Sequence, residues 1–591
     1  MKPESLRSVN VVCVLCVIAL AGGCGSYQAP PPTPQPISVA VSPQAAAVGT
    51  GQSTPFTANV TSDTTGVTWT ASAGAIDANG NYTAPPGTQS MTVTVTATSK
   101  KDPTKTASAT VNVVAPGQVA PTANVQVALY TIAPAGAGNV SVQFGLDTNY
   151  GLTTWTQPVP QGGGAVSLFV AGMVASTLYH MRGVVQFGDG SQFMDADQTF
   201  TTGAIPAAQL PAITVTTTAG MTPQPGVELL DLIGGTTLFT MAVSDLNGNL
   251  LWGYNPGLTG LLANPIKLLP NGHFLMNFSG GVDGLNSVMQ EVDLAGTVVW
   301  QMKAADLNAA LAAACTATGI GCNLTVLGTH HDFVLLPNGH LIVIAGTQEV
   351  ISGTTVTGDV IIDLDQNHKP VWLWNEFDHL DINRRPMQFP DWTHTNAVIY
   401  SADDGNLIVC IRHQHWLVKV DYANGTGLGD ILWKLGFQGD FALMGGTGPT
   451  DWFYAQHGPS FATSNTTGKF SLVLFDNGNN RLFPSGGICG ATGQPACYST
   501  VPLLQLDETA KTATLTFHPT APTFSVFGGN AAVLKNGNVE YCESAGGPGT
   551  AGDVYEVTQD SSAQTVWHML ITGQFAYRGQ RIPSFYPGVQ W

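Results

Sequence analysis

The sequence has little charge and little of it is positive. Charged residues make up 10% of the 591 residues, with 20 Lys and Arg against 38 Asp and Glu and a formal net charge of −18. A typical globular protein has about 25% charged residues. Without a basic surface the chain cannot neutralise phosphates, so nucleic acid is excluded as a partner. The 68 glycines and the many Thr, Val and Ala residues instead predict an all-β protein with tight turns.

The sequence also lacks a long hydrophobic run. Its longest N-terminal apolar stretch spans residues 11–21, behind Lys2 and Arg7, whereas a membrane-spanning helix needs roughly 20 residues. Residues 1–24 therefore resemble a lipoprotein signal peptide that ends at a lipidated Cys24. The alternative is an ordinary secretory signal with an incidental cysteine. We expect an exported protein, held to the membrane only by its lipid and facing the periplasm or the cell surface.

Cys13, Cys16 and Cys24 belong to the predicted signal peptide, and no CxxC pair occurs among the six cysteines that follow it, which weakens a cysteine-based metal site. Cys315 and Cys322 are close in sequence, as are Cys489 and Cys497, and export permits oxidation. We predict two local disulfides. Cys410 and Cys542 lie in apolar strand patterns and are expected to be buried free thiols.

Two small domains precede the main part of the chain. Residues 25–36 are a proline-rich linker, which favours an extended spacer. Residues 37–115 alternate with period two and resemble a bacterial immunoglobulin-like β-sandwich in the stretch VTWTASAGAIDANGNYTAPPG. Residues 118–204 resemble a fibronectin type III sandwich, in which Tyr179 closes a corner by a backbone hydrogen bond. Neither holds a cluster of titratable groups, so both are interpreted as spacers.

A repeat dominates residues 206–591. One half-unit is a strand, a turn and a strand with an aromatic near its end, and the other is a hairpin with a PNG-like turn. The six aromatic residues are Trp252, Trp300, Trp372, Trp433, Phe517 and Trp567. Two hairpins per unit predict six four-stranded blades of a β-propeller. A solenoid is the competing interpretation, but the last copy lacks its own second hairpin, as expected if the ring closes by sharing strands.

Histidine is scarce, with 13 residues, yet three lie at equivalent places before successive hairpins: His331, His394 and His457. Asn396 and Arg412 fall near the same predicted channel. The set has three interpretations: a zinc or copper site, structural histidines that cap strand ends, or an anion-binding catalytic site. Arg412 argues against a metal, because a fixed cation beside it is electrostatically costly, and we favour the anion site. We predict no metal and no cofactor.

Several stretches resemble a known family. They are DWTHTNAVIY, LIVCIRHQHWLVKVD, DILWKLG, QHGPSF, LFDNGNNR and YRGQRIPSFY. Over about residues 206–591 they are similar to the bacterial arylsulfate sulfotransferases that need no nucleotide donor. The resemblance implies a six-bladed propeller that moves a sulfuryl group from a phenolic sulfate donor to a phenolic acceptor. Two features depart from the family: Gly458 stands where many relatives have an acidic residue, and the N-terminal sandwiches are additional.

By the resemblance, His457 is the nucleophile that becomes a sulfohistidine in a ping-pong reaction. His331, His394, Asn396 and Arg412 would surround the transferred group, with His331 or His394 as general acid and base. Asp332 is placed in the sequence either to orient a histidine or to be a solvated turn carboxylate, and His330 and His413 are interpreted as bystanders. Five aromatics are expected either to stack on a phenolic ring or to pack between blades: Trp392, Trp416, Trp452, Phe453 and Tyr454. A non-catalytic adhesion propeller and a sulfate ester hydrolase remain the rival functions.

Overall fold

The computed structural model describes residues 35–234, 239–281, 283–544 and 551–591. The signal peptide, Cys24 and most of the linker lie outside this part. The chain is mostly β, with 49% strand and 5% helix. Among the described residues, no helix combines the length and the apolar character that crossing a bilayer requires.

The two N-terminal domains are built from β-sheets, and their immunoglobulin-like and fibronectin-like character stays a prediction. The first contains the strands Ser38–Ser42, Ala45–Gly49, Ser53–Pro55, Thr57–Thr61, Val67–Ala71, Ala75–Ile76, Asn81–Thr83, Met91–Ser99 and Thr106–Val114. The second contains Gln118–Pro121, Ala128–Ile132, Gly138–Gly145, Leu152–Thr153, Gln157–Pro158, Val166–Val170, Leu178–Phe187, Gln192–Met194 and Gln198–Thr201. The Tyr179 hydroxyl accepts a hydrogen bond from the Val174 backbone N–H at 3.0 Å, which is the kind of corner contact that the sequence predicts.

Six sheets follow, which we number in chain order and describe from the first strand outward. Sheet 1 is Phe575–Ile582, Val227–Ile233, Met241–Ser244 and Leu250–Tyr254; sheet 2 is Leu262–Leu268, Phe274–Gly280, Leu285–Val292 and Val298–Lys303. Sheet 3 is Val326–Leu335, Leu341–Ile351, Thr354–Leu364 and Pro370–Asn375; sheet 4 is Thr395–Ser401, Asn406–Ile411, Trp416–Val420 and Ile431–Leu435. Sheet 5 is His457–Phe461, Lys469–Phe475, Leu503–Asp507, Thr512–Phe517 and an added Ala442–Met444; sheet 6 is Asn530–Val533, Val539–Glu543, Ala551–Val557, Thr565–Thr572 and an added Ala212–Thr217.

The sheets succeed one another in a closed order. From sheet 2 to sheet 6, the first strands of consecutive sheets contact each other. Phe575–Ile582, the first strand of sheet 1, contacts the first strands of sheets 2 and 6. The ends of the repeat region exchange strands, because Phe575–Ile582 pairs with Val227–Ile233 and Ala212–Thr217 pairs with Thr565–Thr572. First strands of different sheets therefore meet at one place, which is what brings distant residues together.

The repeated aromatic residue has a structural role between sheets. The indole N–H of Trp252 in sheet 1 donates to Leu294 O of sheet 2 at 2.9 Å, and that of Trp567 in sheet 6 donates to Leu246 O of sheet 1 at 2.9 Å. A large apolar ring with one polar handle fills the gap between sheets and satisfies a buried carbonyl.

The helices are short except for one. The structure contains α-helices at Ala304–Thr318 and Glu376–His379 and 3-10 turns at Ala207–Gln209, Arg412–Gln414 and Ala423–Gly425. The all-β prediction did not include the 15-residue helix Ala304–Thr318, whose alanine-rich sequence has high helix propensity. Gly319 ends it at φ 81°.

The structure has disulfides between Cys315 and Cys322 and between Cys489 and Cys497. The first closes the end of helix Ala304–Thr318. Cys410 and Cys542 are free and buried.

Candidate active site

His331 lies on a bulge in the first strand of sheet 3. Thr329 pairs with Ala345 and Phe333 with Val343, so the residues between them leave the regular register. His331 has φ 56°, a left-handed conformation that is uncommon for a residue with a side chain. The bulge turns its buried ring toward the meeting point of the sheets, where its Nδ1 lies 2.7 Å from Nδ1 of His330.

His394 precedes the first strand of sheet 4 and also has a left-handed backbone, with φ 51°. Its Nδ1–H donates to Oδ2 of Asp391 at 2.6 Å, and its ring stacks on that of His413 at 4.5 Å between centroids. Its centroid lies 5.0 Å from that of His331. Two predicted site histidines are thus in contact.

Arg412 begins a 3-10 turn at the end of the second strand of sheet 4. Its Nη1 donates to His413 Nε2 at 2.7 Å and its Nη2 to Val526 O at 3.0 Å. Its Nε has no hydrogen-bond partner among the described residues although the side chain is buried. A fixed guanidinium with a spare donor is suited to binding an anion.

Asn396 follows His394 by two residues and is fully buried. Its Nδ2 donates at 2.7 Å to the carbonyl oxygen of Gln456, the residue before His457. Its Oδ1 has no hydrogen-bond partner within the described ranges. Asn396 therefore joins the start of sheet 4 to the start of sheet 5.

His457 is the first residue of the first strand of sheet 5, and its ring is fixed at both nitrogens. Nδ1 lies 2.6 Å from Oδ1 of Asn477, and the Asn477 amide group is oriented because its Nδ2 donates to Ser525 O and Gly528 O. Since an amide oxygen only accepts, Nδ1 of His457 carries the hydrogen. Nε2 then has a lone pair, toward which Gly528 N–H points at 3.3 Å.

Tyr577, from the closing strand Phe575–Ile582, lies between the predicted histidines. Its ring centroid is 5.9 Å from that of His331 and 6.2 Å from that of His457. The structure therefore brings all five predicted residues, on sheets 3, 4 and 5, to one buried site.

Three imidazoles of the site, those of His457, His331 and His413, have lowered pKa values. Burial, and then the charge of Arg412, holds the pKa of His457 well below its usual range. Burial also holds the pKa of His331 well below its usual range, with His330 as the next cause. Burial, followed by His394, lowers the pKa of His413 to about 3. A neutral imidazole beside a fixed cation is the arrangement that a nucleophile for an anionic ester requires.

The model of one protein family, described as arylsulfotransferase (ASST), matches residues 225–578. This is more than half of the chain and contains every residue of the site described above. The chain belongs to the arylsulfotransferase family.

No curated protein matches the chain. Solved structures similar to it include an ACO/RPE65 chimera, with 10% identity, a TM-score of 0.28, and coverage of 79% of this chain and 94% of the other. Another is cobalt-substituted Synechocystis ACO, with 11% identity, a TM-score of 0.27, and coverage of 77% and 96%. A third is the GH74 xyloglucanase from Xanthomonas campestris, with 12% identity, a TM-score of 0.22, and coverage of 78% and 71%.

Membership in the family means that this chain is an aryl sulfotransferase and that aryl sulfates are its substrates.

The site also contains residues that were not predicted from the sequence. Arg578 donates to Asn396 O at 2.9 Å and lies 3.3 Å from Asp332 Oδ1. Burial opposes its charge, but Asp332 raises the pKa of Arg578 above its usual range. Tyr577 and Arg578 stand in YRGQRIPSFY, and Asn477 stands in LFDNGNNR, so family-like stretches were the available signal.

Asp332 does not orient a histidine, and it is not a solvated turn carboxylate. It is buried, its Oδ1 lies 2.6 Å from Lys267 Nζ, and its Oδ2 accepts from Val398 N–H at 3.3 Å. Burial raises the pKa of Asp332, but Arg578 and Lys267 outweigh it and lower the pKa overall. This carboxylate therefore balances two cations, Lys267 and Arg578, next to the arylsulfotransferase site.

One group of side chains has a spacing suited to a metal ion. Ligand atoms of Asp391, His394 and His413 lie within 4.8 Å of one another. However, His413 uses both ring nitrogens, since Nδ1 donates to Asp391 O at 2.8 Å and Nε2 accepts from Arg412. His394 Nδ1 is likewise bonded to Asp391. The atoms that would bind a metal are hydrogen-bonded to each other and to Arg412, which favours an anion site over a metal site.

The five aromatics considered for substrate contact pack within the protein. Trp452, Phe453 and Tyr454 belong to a buried cluster with residues of sheets 4 and 5. Trp392 donates its indole N–H to Arg384 O at 3.0 Å, and Trp416 lies under the Arg384 guanidinium at 3.8 Å. Tyr577 is instead the aromatic that contacts the site histidines.

Gly458 has a structural explanation. Its φ is +48°, and a Cβ at this position would lie 2.5 Å from Cβ and 2.6 Å from Cα of Asn530. A side chain after His457 would push the first strand of sheet 6 away from the first strand of sheet 5. The acidic residue of many relatives does not fit this backbone.

We expect Gly458→Ala to lower the free energy of unfolding by about 2–4 kcal/mol, from left-handed strain plus overpacking. Gly260→Ala is the control, because Gly260 has φ +76° with no atom within 4 Å of the added Cβ. Denaturant unfolding of both variants measures the difference. Equal losses in the two variants would show that the contact with Asn530 contributes nothing.

Proposed function

We propose that this protein transfers a sulfuryl group from a phenolic sulfate ester to a phenol in two steps, through a sulfate ester of His457 Nε2. The observation that carries the proposal is the fixed tautomer of His457. Asn477 holds the hydrogen on Nδ1 and leaves the Nε2 lone pair at the meeting point of the sheets. The six sheets are inferred to be the blades of a closed six-bladed propeller, with this site at its axis.

In the first step the Nε2 lone pair attacks sulfur, and the S–O bond to the aryl group breaks with its electron pair on the phenolic oxygen. The product is a sulfated imidazolium whose Nδ1–H remains hydrogen-bonded to Oδ1 of Asn477. Free phenols have a pKa near 10, so this oxygen needs a proton. His331 or His394 gives this proton in the first step and takes the proton of the acceptor phenol in the second, where the acceptor oxygen attacks sulfur as the S–N bond to His457 breaks. The result is ping-pong kinetics.

Arg412 is proposed to bind the oxygens of the sulfuryl group through its Nε and remaining N–H donors. His394 donates its Nδ1–H to the Asp391 carboxylate, which fixes the ring, and its Nε2 is proposed to face the same oxygens. Gly528 N–H lies beside His457 Nε2 and supplies a backbone donor once the sulfuryl group is attached. Asn396 acts as a positioning residue, because its amide supports the backbone before His457.

The proposed transferase is tested by incubating the protein with 4-nitrophenyl sulfate, with and without added phenol. Phenol-dependent release of 4-nitrophenol is expected, together with phenyl sulfate as the second product. Equal release in the absence of phenol would indicate a hydrolase. No release under either condition would favour a non-catalytic binding protein.

The pH dependence of the first step follows from the lowered pKa of His457. A histidine is nucleophilic only above its pKa, and protonation of His457 begins only as pH falls through the lowered value. With 4-nitrophenyl sulfate, a donor whose leaving group needs little protonation, the burst rate is expected to stay constant from pH 7 to pH 5. With an ordinary histidine of pKa about 6.5, the burst rate would fall roughly 25-fold over this range. Rapid quench into alkali measures the burst.

The export signal and the spacer role of residues 37–204 extend the proposal. We infer a lipoprotein anchored through Cys24, with the two β-domains between the anchor and the enzyme. The support is the N-terminal sequence pattern. Metabolic labelling with a fatty acid, compared between the natural chain and Cys24→Ser, tests it.

A further inference from the structure

His331 is one end of a buried chain of ionisable groups that continues away from the site. Its Nδ1 lies 2.7 Å from Nδ1 of His330, and Nε2 of His330 lies 3.0 Å from Oδ1 of Asp359. The second contact is at ion-pair distance, although it is not aligned as a hydrogen bond. All three side chains are at most 4% exposed. The chain therefore links the site to a carboxylate behind it.

Asp359 is held so that one oxygen faces His330. Its Oδ2 accepts from the Thr393 hydroxyl and from Thr395 N–H, both at 2.7 Å, which leaves Oδ1 for the histidine. Thr395 also donates to Oε1 of Glu376 at 2.5 Å. Burial, and then Asp359, holds the pKa of Glu376 well above its usual range, which favours the neutral acid at Glu376.

We propose that His330 and Asp359 store the proton that His331 gives to the leaving phenol and takes back from the acceptor phenol. This inference rests on the proposed two-step transfer. His330 and Asp359 are positioning residues, since only His331 would touch the substrate. The alternative acid and base is His394, which is paired with Asp391.

The proton movements balance. At rest His330 is an imidazolium beside Asp359, its Nδ1–H donates to His331 Nδ1, and His331 is neutral with hydrogen on Nε2. As the S–O bond breaks, the Nε2 hydrogen of His331 passes to the phenolate, and the Nδ1 hydrogen of His330 passes to His331 Nδ1. His330 is then neutral, with its remaining hydrogen on Nε2. The acceptor phenol reverses both transfers and restores the resting state.

The geometry explains why the charge would be stored at His330. Four side chains around His331 oppose a positive charge on its ring, namely His330 and then His394, His457 and Arg578. His330 instead faces the carboxylate of Asp359. Two adjacent imidazoles let the proton wait beside an anion while a neutral His331 faces the substrate.

The test compares two donors in single-turnover experiments on the full-length enzyme. Phenyl sulfate has a leaving group that needs a proton, whereas 4-nitrophenyl sulfate has one that needs little. Asp359→Asn and His330→Gln are expected to slow sulfation of His457 by phenyl sulfate by about 10- to 100-fold, less than the roughly 100- to 10,000-fold that general acid catalysis contributes, because His331 itself remains. With 4-nitrophenyl sulfate the change is expected to stay within about threefold.

His340→Gln is the matched control, because His340 also pairs with an aspartate, Asp363, at 3.0 Å on the same sheet and is 26% exposed. It is expected to change neither rate. Asp391→Asn tests the alternative pair.

Equal losses with both donors, or no loss with either, would overturn the proposed proton store, and so would a donor-selective loss in Asp391→Asn but not in Asp359→Asn. If one variant fails to fold, the other still decides the outcome. Absence of sulfate on His457 of the unmodified enzyme would refute the two-step transfer itself, and it is measured without any variant.

Discussion

Replacing His457 with alanine is expected to abolish transfer, with a fall in kcat on the order of 10⁴-fold or more, because the covalent intermediate can no longer form. The lost imidazole has its Nε2 lone pair fixed because the oriented side-chain amide of Asn477 accepts the hydrogen of Nδ1. The measurement is the steady-state rate of 4-nitrophenol release with phenol as acceptor.

Two controls separate chemistry from folding. His457→Gln keeps most of the buried volume and should be as inactive as the alanine variant while it unfolds at nearly the same denaturant concentration as the original protein. His340→Ala changes a partly exposed histidine of sheet 3 and should keep full activity. Normal turnover in His457→Ala would show that the nucleophile has been misassigned.

Replacing Arg412 with alanine is expected to lower kcat by about 100- to 1000-fold, the usual cost of removing one donor that stabilises developing charge. The charge on the sulfuryl oxygens grows as the S–O bond breaks, and Arg412 is fixed by His413 and Val526 with a spare Nε–H. Arg412→Lys should recover only part of the loss, since an ammonium cannot reproduce the planar donor set.

Arg385→Ala is the control for the loss of a positive charge, because the Arg385 guanidinium stacks on Phe389 at 3.8 Å and is exposed. Its kcat should stay within about threefold of the original value. If Arg412→Ala loses only as much as Arg385→Ala, Arg412 acts through general electrostatics and not by binding the transferred group.

Much of the repeat region could be predicted because its strands alternate regularly and each outer strand carries a large aromatic at one place. Trp252 and Trp567 show why: their indoles bond to the next sheet, so the repeat in sequence reflects a repeated contact. The exchange of strands at the ends could also be anticipated from the incomplete last copy. The helix Ala304–Thr318 was missed because it is an insertion between sheets 2 and 3, whereas the equivalent connection between sheets 3 and 4 contains only the four-residue helix Glu376–His379.

The predicted histidines, Asn396 and Arg412 do meet, but their supporting residues could not be predicted from position in the repeat. Tyr577 and Arg578 reach the site only because the last strand completes sheet 1, and Asn477 comes from a loop of sheet 5. His330 was interpreted as a bystander, since its neighbour His331 is the histidine at the equivalent place in the repeat. Only the bulge and its left-handed residue reveal that both rings face inward and touch.

The most direct test is to mix the enzyme with isotopically labelled 4-nitrophenyl sulfate and to quench the mixture before any acceptor is added. The protein is then digested under mildly alkaline conditions, and the label is located by mass spectrometry. We expect one labelled sulfate per chain on the peptide that contains His457. This label should be released when phenol is added and should be absent from His457→Gln. Label on another residue, or rapid product formation with no bound label at any time, would contradict this expectation.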